Sequence, residues 1–186
     1  MRQSKSFLRN KSLLRRRKKH ASAKKFNFNL IFNLIRKHFH TKKIIIGSYY
    51  PADYEVDILR FIQEATKKRY KISLPIVKSS NQMSFEPWLF KEPLYVNQYG
   101  ILEPQKLKKE TIPDLILVPL VAFDKNLNRI GYGKGYYDRY LNKINKNKKK
   151  TISLGVAYSF QKCKKIKTNK HDYKLDYIFT EKGIFK

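Results

Sequence analysis

The sequence is poor in cysteine, in acidic residues and in long apolar runs, and each scarcity excludes a class of protein. Its one cysteine, Cys163, can form no disulfide within the chain, and no CxxC pair or Cys/His cluster offers a zinc site. No apolar run approaches the roughly 18 residues that a membrane-spanning helix needs. The basic N-terminus lacks the apolar segment of a secretory signal. These absences predict a cytoplasmic protein with an inert Cys163 and no membrane partner.

Acidic residues are scarce enough to leave a large positive charge. Only 14 Asp and Glu stand against 42 Lys and Arg, which gives a formal net charge of +28. The excess is concentrated in residues 1–25, Asn142–Lys150 and Lys162–Lys170, three segments without an acidic residue. A selected nucleic-acid surface would produce such a charge. So would the composition of an A/T-rich genome, which the many Asn, Ile, Phe and Tyr residues indicate. We expect this second cause to dominate, and predict no specific nucleic-acid partner.

Glycine is also sparse, yet three of the seven glycines alternate within one loop, at Gly131, Gly133 and Gly135. Without Cβ atoms, alternate glycines let main-chain N–H groups approach phosphate oxygens. Lys134 lies between the last two and adds positive charge. The spacing is neither Walker A nor the dinucleotide fingerprint. On spacing alone, a phosphate-binding loop and a plain glycine-rich turn are equally good interpretations.

The hydrophobic pattern predicts alternating strands and helices in one domain of residues 1–186. Apolar runs of strand length are Lys43–Ser48, Tyr70–Val77, Met83–Phe85, Leu115–Val118, Thr151–Val156 and Leu175–Phe179. Helical spacing predicts a basic N-terminal helix over about residues 5–19 and another around Leu30–Ile35, although Phe26–Asn29 could pair as a strand. A third helix would be capped by Asp53 and a fourth would begin near Tyr136.

This alternation predicts an α/β fold: a layered, mostly parallel sheet with helices on both faces. Pro87–Lys109, rich in proline, should be mostly irregular, and Asn142–Lys150 should form a surface turn. The loops that follow Lys43–Ser48 and Leu115–Val118 would lie at the carboxyl edge of the sheet. Ligands of such sheets bind at that edge, so both loops are candidate binding loops.

Phe123–Leu141 carries the most specific motif of the chain, FDKNLNRIGYGKGYYDRYL. It closely resembles the signature of the 5-formyltetrahydrofolate cyclo-ligase family, also called methenyltetrahydrofolate synthetase, in which FD precedes G-x-RLG-x-G-(G/K)-GYYD. Weaker matches follow in the family's order: Lys5 and Arg9, YYPADYEVD from Tyr49, YGILEP from Tyr99 and HDYKLDYIFTE from His171. The resemblance spans essentially the whole chain.

The resemblance implies ATP-dependent cyclisation of 5-formyltetrahydrofolate to 5,10-methenyltetrahydrofolate, with release of ADP and phosphate and with Mg²⁺ as the metal. It implies catalytic roles for Lys134 and Tyr136. Tyr132 stands where some members carry arginine, whose charge a phenol cannot replace. The nucleotide-binding residues that it implies are Lys5, Arg9, Arg129, Ile130, Gly131, Tyr132, Gly133, Lys134, Gly135, Tyr136, Tyr137 and Asp138.

For the substrate, the resemblance implies that Glu55 binds the pterin ring, whose adjacent N–H donors one carboxylate can accept in bidentate fashion. Tyr50 and Tyr99 would be further substrate contacts. Asp138 and Asp176 would be the Mg²⁺ ligands, since hard oxygen donors suit that metal.

Each assignment has a simpler alternative. Lys134 could be a solvated lysine, Asp138 a helix cap and Glu55 a first-turn glutamate favoured by the helix dipole. His171 and Asp172 resemble a catalytic dyad but have no serine or cysteine partner with motif support. At the level of function, the alternatives are a basic nucleic-acid-binding protein without enzymatic activity and a degraded paralogue that keeps only the fold. We expect a monomer.

Overall fold

A computed structural model describes residues 4–40, 43–79, 82–105, 110–146 and 151–186. The helices are α1 (Lys5–Lys19), α2 (Asn29–His38), α3 (Leu59–Lys67) and α4 (Tyr136–Lys146), with short 3₁₀ turns at His20–Ser22 and Ser159–Gln161. The strands are β1 (Ile45–Gly47), β2 (Lys71–Ser79), β3 (Gln82–Pro87), β4 (Leu94–Val96), β5 (Leu102–Pro104), β6 (Leu115–Pro119), β7 (Ala122–Phe123), β8 (Arg129–Ile130), β9 (Ile152–Val156), β10 (Tyr177–Thr180) and β11 (Gly183–Phe185).

Seven of these strands form one sheet in the order β11-β10-β9-β6-β1-β2-β3. The five inner strands are parallel, and the edge strands β3 and β11 are antiparallel to their neighbours. Short antiparallel pairs, β4 with β5 and β7 with β8, lie outside this sheet. The predicted mostly parallel sheet is confirmed.

Helices cover both faces of the sheet, because alternate side chains of a strand point to opposite faces. Leu115 and Leu117 of β6 pack in one buried cluster with residues of α2 and α3. Ile116 and Val118, the intervening residues, pack in a second cluster with residues of α4. The prediction of helices on both faces of the sheet is therefore also confirmed.

Helix α1 lies against the loop region that follows β6. Its N-cap is Ser4, whose side chain accepts the N–H of Phe7 at 3.2 Å. Leu8 and Leu13 pack against a small cluster that contains Ile130 of β8. This packing carries the basic residues of α1 to the carboxyl edge of the sheet.

Two local predictions were wrong. Asp53 does not cap a helix, since its φ of 45° and the φ of 61° at Tyr54 are left-handed turn conformations, and α3 begins only at Leu59. The carboxylate of Asp57 accepts the N–H of Leu59 there instead. The prediction of a surface turn at Asn142–Lys150 was also wrong in part, because α4 continues through Lys146; residues 147–150 lie outside the described residues.

Two further segments differ from the alternatives considered. Pro87–Lys109 contains the β4–β5 hairpin and is less irregular than expected, with residues 106–109 outside the described part of the chain. Phe26–Asn29 forms no strand and leads directly into α2. No helix among the described residues is long and apolar enough to cross a membrane.

Candidate active site

A cavity of about 610 Å³ opens at the carboxyl edge of the sheet. Its wall is formed by the start of α1, the loop after β1, the β4–β5 hairpin and the glycine loop between β8 and α4. Both loops predicted from the strand order therefore reach one cavity. The predicted residues that line it are Lys5, Arg9, Tyr50, Glu55, Tyr99, Arg129, Ile130, Gly131, Tyr132, Gly133, Lys134, Gly135, Tyr136, Tyr137 and Asp138.

The glycine loop needs glycine for its backbone geometry and for its close contacts. Gly133 and Gly135 have backbone φ angles of 103° and 69°, which residues other than glycine rarely adopt. A Cβ at Gly133 would lie 3.3 Å from the guanidinium carbon of Arg9. The Nε of Arg9 also donates to the Gly131 carbonyl at 2.8 Å. The loop thus opens at the N-terminus of α4 beside a guanidinium, an arrangement suited to a phosphate group.

Further cations surround this loop, each held by a different contact. Lys5 pairs with Asp172 at 2.5 Å. Lys134 lies with its Nζ 5.5 Å from the ring centroid of Tyr99. Arg129 is buried at 7% exposure, with its Nη2 2.9 Å from Oδ1 of Asp138, and burial lowers the pKa of its guanidinium. Its Nε is a buried donor without a partner among the described residues. Such a cation cluster with an unsatisfied donor fits a polyanionic ligand.

Glu55 is held in place by the turn after β1. Its backbone N–H donates to the Ala52 carbonyl at 2.8 Å, and its Oε2 accepts the Ala52 N–H at 3.0 Å. Its Oε1 accepts the hydroxyl of Tyr132 at 2.8 Å. Desolvation raises the pKa of Glu55, while the hydrogen bonds from Ala52 and Tyr132 and the charge of Arg16 oppose that rise. The result is an oriented carboxylate with acceptor positions left for a ligand.

Tyrosines make up much of the remaining wall. Tyr50 meets Trp88 edge to face, with 6.5 Å between ring centroids. The ring of Tyr99, at the turn of the β4–β5 hairpin, lies 6.4 Å from that of Tyr136. Burial raises the pKa of Tyr137, whose hydroxyl has no hydrogen-bond partner in the described part of the chain. Glu103 fixes the hairpin by accepting the N–H of Val77 at 3.1 Å.

Similarity to known proteins shows the family to which the chain with this cavity belongs. A family model described as the 5-formyltetrahydrofolate cyclo-ligase family matches residues 1–181. The chain belongs to that family. A 5-formyltetrahydrofolate cyclo-ligase of Haemophilus influenzae is 33% identical over 136 residues, which are 70% of this chain and 72% of the relative.

Two solved structures of 5,10-methenyltetrahydrofolate synthetases share the fold. The NMR structure from Aquifex aeolicus has a TM-score of 0.72 at 30% identity and covers 98% of this chain and 92% of its own. The structure from Mycoplasma pneumoniae has a TM-score of 0.67 at 27% identity, with 96% and 99% covered. The resemblance predicted from the glycine-loop motif is confirmed, and with it the prediction of an enzyme. The alternative, a nucleic-acid-binding protein without enzymatic activity, is not favoured.

The two aspartates that the cyclo-ligase resemblance assigns to Mg²⁺ do not share the cavity. Asp138 lines it and also accepts the N–H of Tyr173 at 3.0 Å. Asp176 is not part of the lining; its Oδ2 accepts the N–H and the hydroxyl of Ser153 at 2.8 and 2.6 Å. No cluster of three or more His, Cys, Asp or Glu suited to a metal occurs within the described ranges. A metal here would need further oxygen ligands, which phosphates can supply.

Some residues near the site were not predicted from the sequence, and two that the sequence singled out have contacts that agree with a non-catalytic role. Asp172 bonds Lys5 and the N–H of Asn169, so its carboxylate is used by groups outside the suggested dyad. Burial raises the pKa of the Cys163 thiol to about 11, which keeps it protonated at neutral pH. Arg16, buried beside Tyr132, was missed within a run of three arginines. Its position seven residues after Arg9, on the same helix face, was the available signal.

Proposed function

We propose that the protein closes 5-formyltetrahydrofolate to 5,10-methenyltetrahydrofolate at the expense of ATP, in the presence of Mg²⁺. The observation that carries the proposal is that an oriented carboxylate, Glu55, and a lysine-bearing glycine loop face one cavity of about 610 Å³. A volume of this order suits small-molecule ligands. A nucleotide at the loop and a pterin at Glu55 would meet inside it.

The phosphate side of the cavity is provided by the glycine loop and its cations. Gly133 and Gly135 let the backbone approach the triphosphate, and Lys5, Arg9 and Lys134 offset its charge. In phosphoryl transfer the protein contributes mainly positioning and charge neutralisation. Lys134 fits this role because the contact that it makes, with the face of the Tyr99 ring, involves no carboxylate that would have to be displaced. Tyr136 would position the transferred group from the first turn of α4.

Asp138 is the residue best suited to hold Mg²⁺. Its carboxylate lines the cavity at the first turn of α4, directly after the phosphate loop. Mg²⁺ sites that serve phosphates commonly use one or two carboxylates, with phosphate and water oxygens as the other ligands. Asp176 stays a prediction as a second ligand, because its carboxylate is hydrogen-bonded to Ser153 and outside the lining.

The pterin side is provided by Glu55. Its oxygens each accept one hydrogen bond from the protein, from Ala52 and from Tyr132, which fixes the plane of the carboxylate. Each oxygen keeps a further acceptor position, so two adjacent N–H donors can bind side by side. Tyr50 and Tyr99 would contact the substrate on either side.

The formyl oxygen is a poor leaving group, and ATP, when bound, would supply the phosphoryl group that activates it before N10 attacks and phosphate departs. This chemistry requires no protein nucleophile, which agrees with the protonated Cys163. The protein's share is to hold the two substrates in line, exclude water and neutralise the developing phosphate charge.

The test is a direct assay of the purified protein. It is incubated with 5-formyltetrahydrofolate, ATP and Mg²⁺ while the methenyl absorbance is followed, and each component is omitted in turn. We expect product only when all three are present. No product under the complete conditions, from protein that still melts cooperatively, would reject the proposed activity and favour a degraded paralogue. Full-rate product formation in excess EDTA would reject the metal.

A further inference from the structure

Arg16 is a buried cation of helix α1. Its side chain is 1% exposed, whereas Arg15 and Arg17 on either side are exposed. No carboxylate lies within ion-pairing distance of it among the described residues. Burying a charged group without a direct counterion is costly. The desolvation cost of Arg16 must therefore be offset by an interaction other than a salt bridge.

That interaction leads to Glu55 through one hydroxyl group. The Nη2 of Arg16 donates to Oη of Tyr132 at 2.5 Å, and its guanidinium carbon lies 5.4 Å from the centroid of the same ring. The hydroxyl of Tyr132 then donates to Oε1 of Glu55 at 2.8 Å. A phenol has one proton to donate, so accepting from the guanidinium directs that proton to the carboxylate. Three side chains from α1, the glycine loop and the turn after β1 form one polar chain.

We propose that Arg16 is a positioning residue for substrate binding: through Tyr132 it holds Glu55 oriented towards a ligand with adjacent N–H donors. The proposal rests on the assignment of the pterin to Glu55. Arg16 does not touch the ligand, and it acts by fixing which oxygen of Glu55 is engaged and which acceptor positions remain. Its positive charge also offsets the desolvation that disfavours the charged carboxylate.

The geometry separates Arg16 from the phosphate-binding cations of the same helix. Lys5 and Arg9, in the first turns of α1, contact Asp172 and the glycine loop. Arg16 lies two turns beyond Arg9, roughly 10 Å along the helix axis. Helix α1 therefore serves both halves of the cavity, and loss of Arg16 should affect the folate half alone.

The experiment compares Arg16→Met and Tyr132→Phe with Arg17→Met, a control that removes the same charge from an exposed neighbour. Calorimetry measures the affinities for 5-formyltetrahydrofolate and for ATP separately. Carboxyl ¹³C NMR of the ligand-free protein follows the titration of Glu55. We expect both test variants to bind 5-formyltetrahydrofolate about tenfold more weakly, as for loss of one charge-assisted hydrogen bond, and Arg16→Met to leave the ATP affinity unchanged. Both should raise the pKa of Glu55, and Arg17→Met should change none of these.

A rescue variant separates positioning from packing. The double variant Arg16→Met with Tyr132→Arg moves the guanidinium from position 16 to position 132. It should restore most of the folate affinity and lower the pKa of Glu55 again. Tyr132 is 41% exposed, so Tyr132→Phe remains informative even if Arg16→Met does not fold. Wild-type folate affinity together with an unchanged Glu55 titration in Tyr132→Phe would overturn the proposal. If the wild-type protein binds no 5-formyltetrahydrofolate, the proposed function fails, while the NMR titration still decides the coupling.

Discussion

Among single residues, Lys134 is the one whose role depends most on what the cavity binds. Its Nζ lies over the ring of Tyr99, a weak cation–π contact that a phosphate can replace. We expect Lys134→Ala to reduce turnover at saturating ATP by about 10²–10³-fold, comparable to losing one preorganised donor. Lys143→Ala, an exposed lysine of α4, is the control and should behave as wild type. If Lys134→Gly also turns over normally, the lysine assists binding only and the catalytic charge comes from elsewhere.

Glu55 gives a prediction with a direction in pH. Burial raises its pKa above that of an exposed glutamate, and the proposed pterin contact uses the ionised form. Folate affinity should therefore fall as the pH drops through this raised pKa, at a higher pH than for an exposed glutamate. Glu55→Gln should flatten that dependence and weaken folate binding by roughly 1–3 kcal/mol while sparing ATP. Calorimetry over the pH range measures both, with Glu64→Gln, a partly exposed glutamate of α3 outside the cavity lining, as the control. Unchanged folate affinity with lost ATP affinity would mean that the two sites are exchanged.

The two aspartates assigned to Mg²⁺ should differ in importance. Asp138 lines the cavity, whereas Asp176 is exposed and bonded to Ser153. We expect Asp138→Asn to lower activity and to raise the Mg²⁺ concentration needed for half-maximal rate, and Asp176→Asn to do so less. Activity is measured across a Mg²⁺ titration. Wild-type behaviour of both variants would remove both from the metal site, and a larger effect at Asp176 would reverse the order.

For single residues, the sequence predicted the location of side chains that belong to a recognisable motif. It did not predict those whose role depends on how the helices pack. Glu55 and Lys134 could be predicted to lie at the site because they stand in the segments that resemble the cyclo-ligase family, and both line the cavity. Arg16 is harder to recognise in a run of three arginines, where its spacing of seven residues from Arg9 is the signal that it shares the inward face of the helix. The contact between Arg16 and Tyr132 joins residues 116 positions apart, and only the docking of α1 brings them together.

Among the elements, buried strands were the easiest to predict, because an apolar β-branched run is itself the signal. Leu115–Val118 corresponds to β6, Leu115–Pro119, and Met83–Phe85 lies within β3. The β4–β5 hairpin was missed, since its strands have three residues each and β4 has no buried residue to create an alternation. The capping role given to Asp53 failed because a left-handed backbone at two consecutive residues is invisible in the residue types.

Helix α1 can be tested as an element by shortening it. Deleting residues 1–3, which lie outside the described part, should leave activity intact, whereas deleting residues 1–9 removes Lys5 and Arg9 and should impair ATP use. The kinetic constants for ATP and for folate are measured separately. The double variant of Lys5→Ala and Arg9→Ala should reproduce the ATP defect without shortening the helix, and exposed Lys11→Ala should not. An intact ATP-dependent rate in the longer deletion would show that both residues were misassigned.

Considered as a whole, the molecule brings three separate parts of the chain to one edge of its sheet. The turn after β1 carries Glu55, the glycine loop before α4 carries Lys134, and α1 crosses between them. The parallel topology explains this convergence, because successive parallel strands end at the same edge. The net charge of +28 does not follow from this topology. Much of it lies on exposed residues away from the cavity, such as Arg17, Lys18 and Lys19 at the end of α1.

This exposed charge leads to the last prediction, which concerns binding of nucleic acid by the whole protein. Lysine and arginine neutralise phosphates of any sequence, so weak binding to duplex DNA at about 50 mM salt is expected whatever the enzyme does. It should fall by orders of magnitude by about 200 mM salt, because each contact releases counterions. Fluorescence anisotropy with two unrelated duplexes should give the same affinity and the same salt slope. A complex that stays tight at the higher salt and prefers one duplex would mean that the charge was selected for a nucleic-acid partner, since composition alone confers no sequence preference.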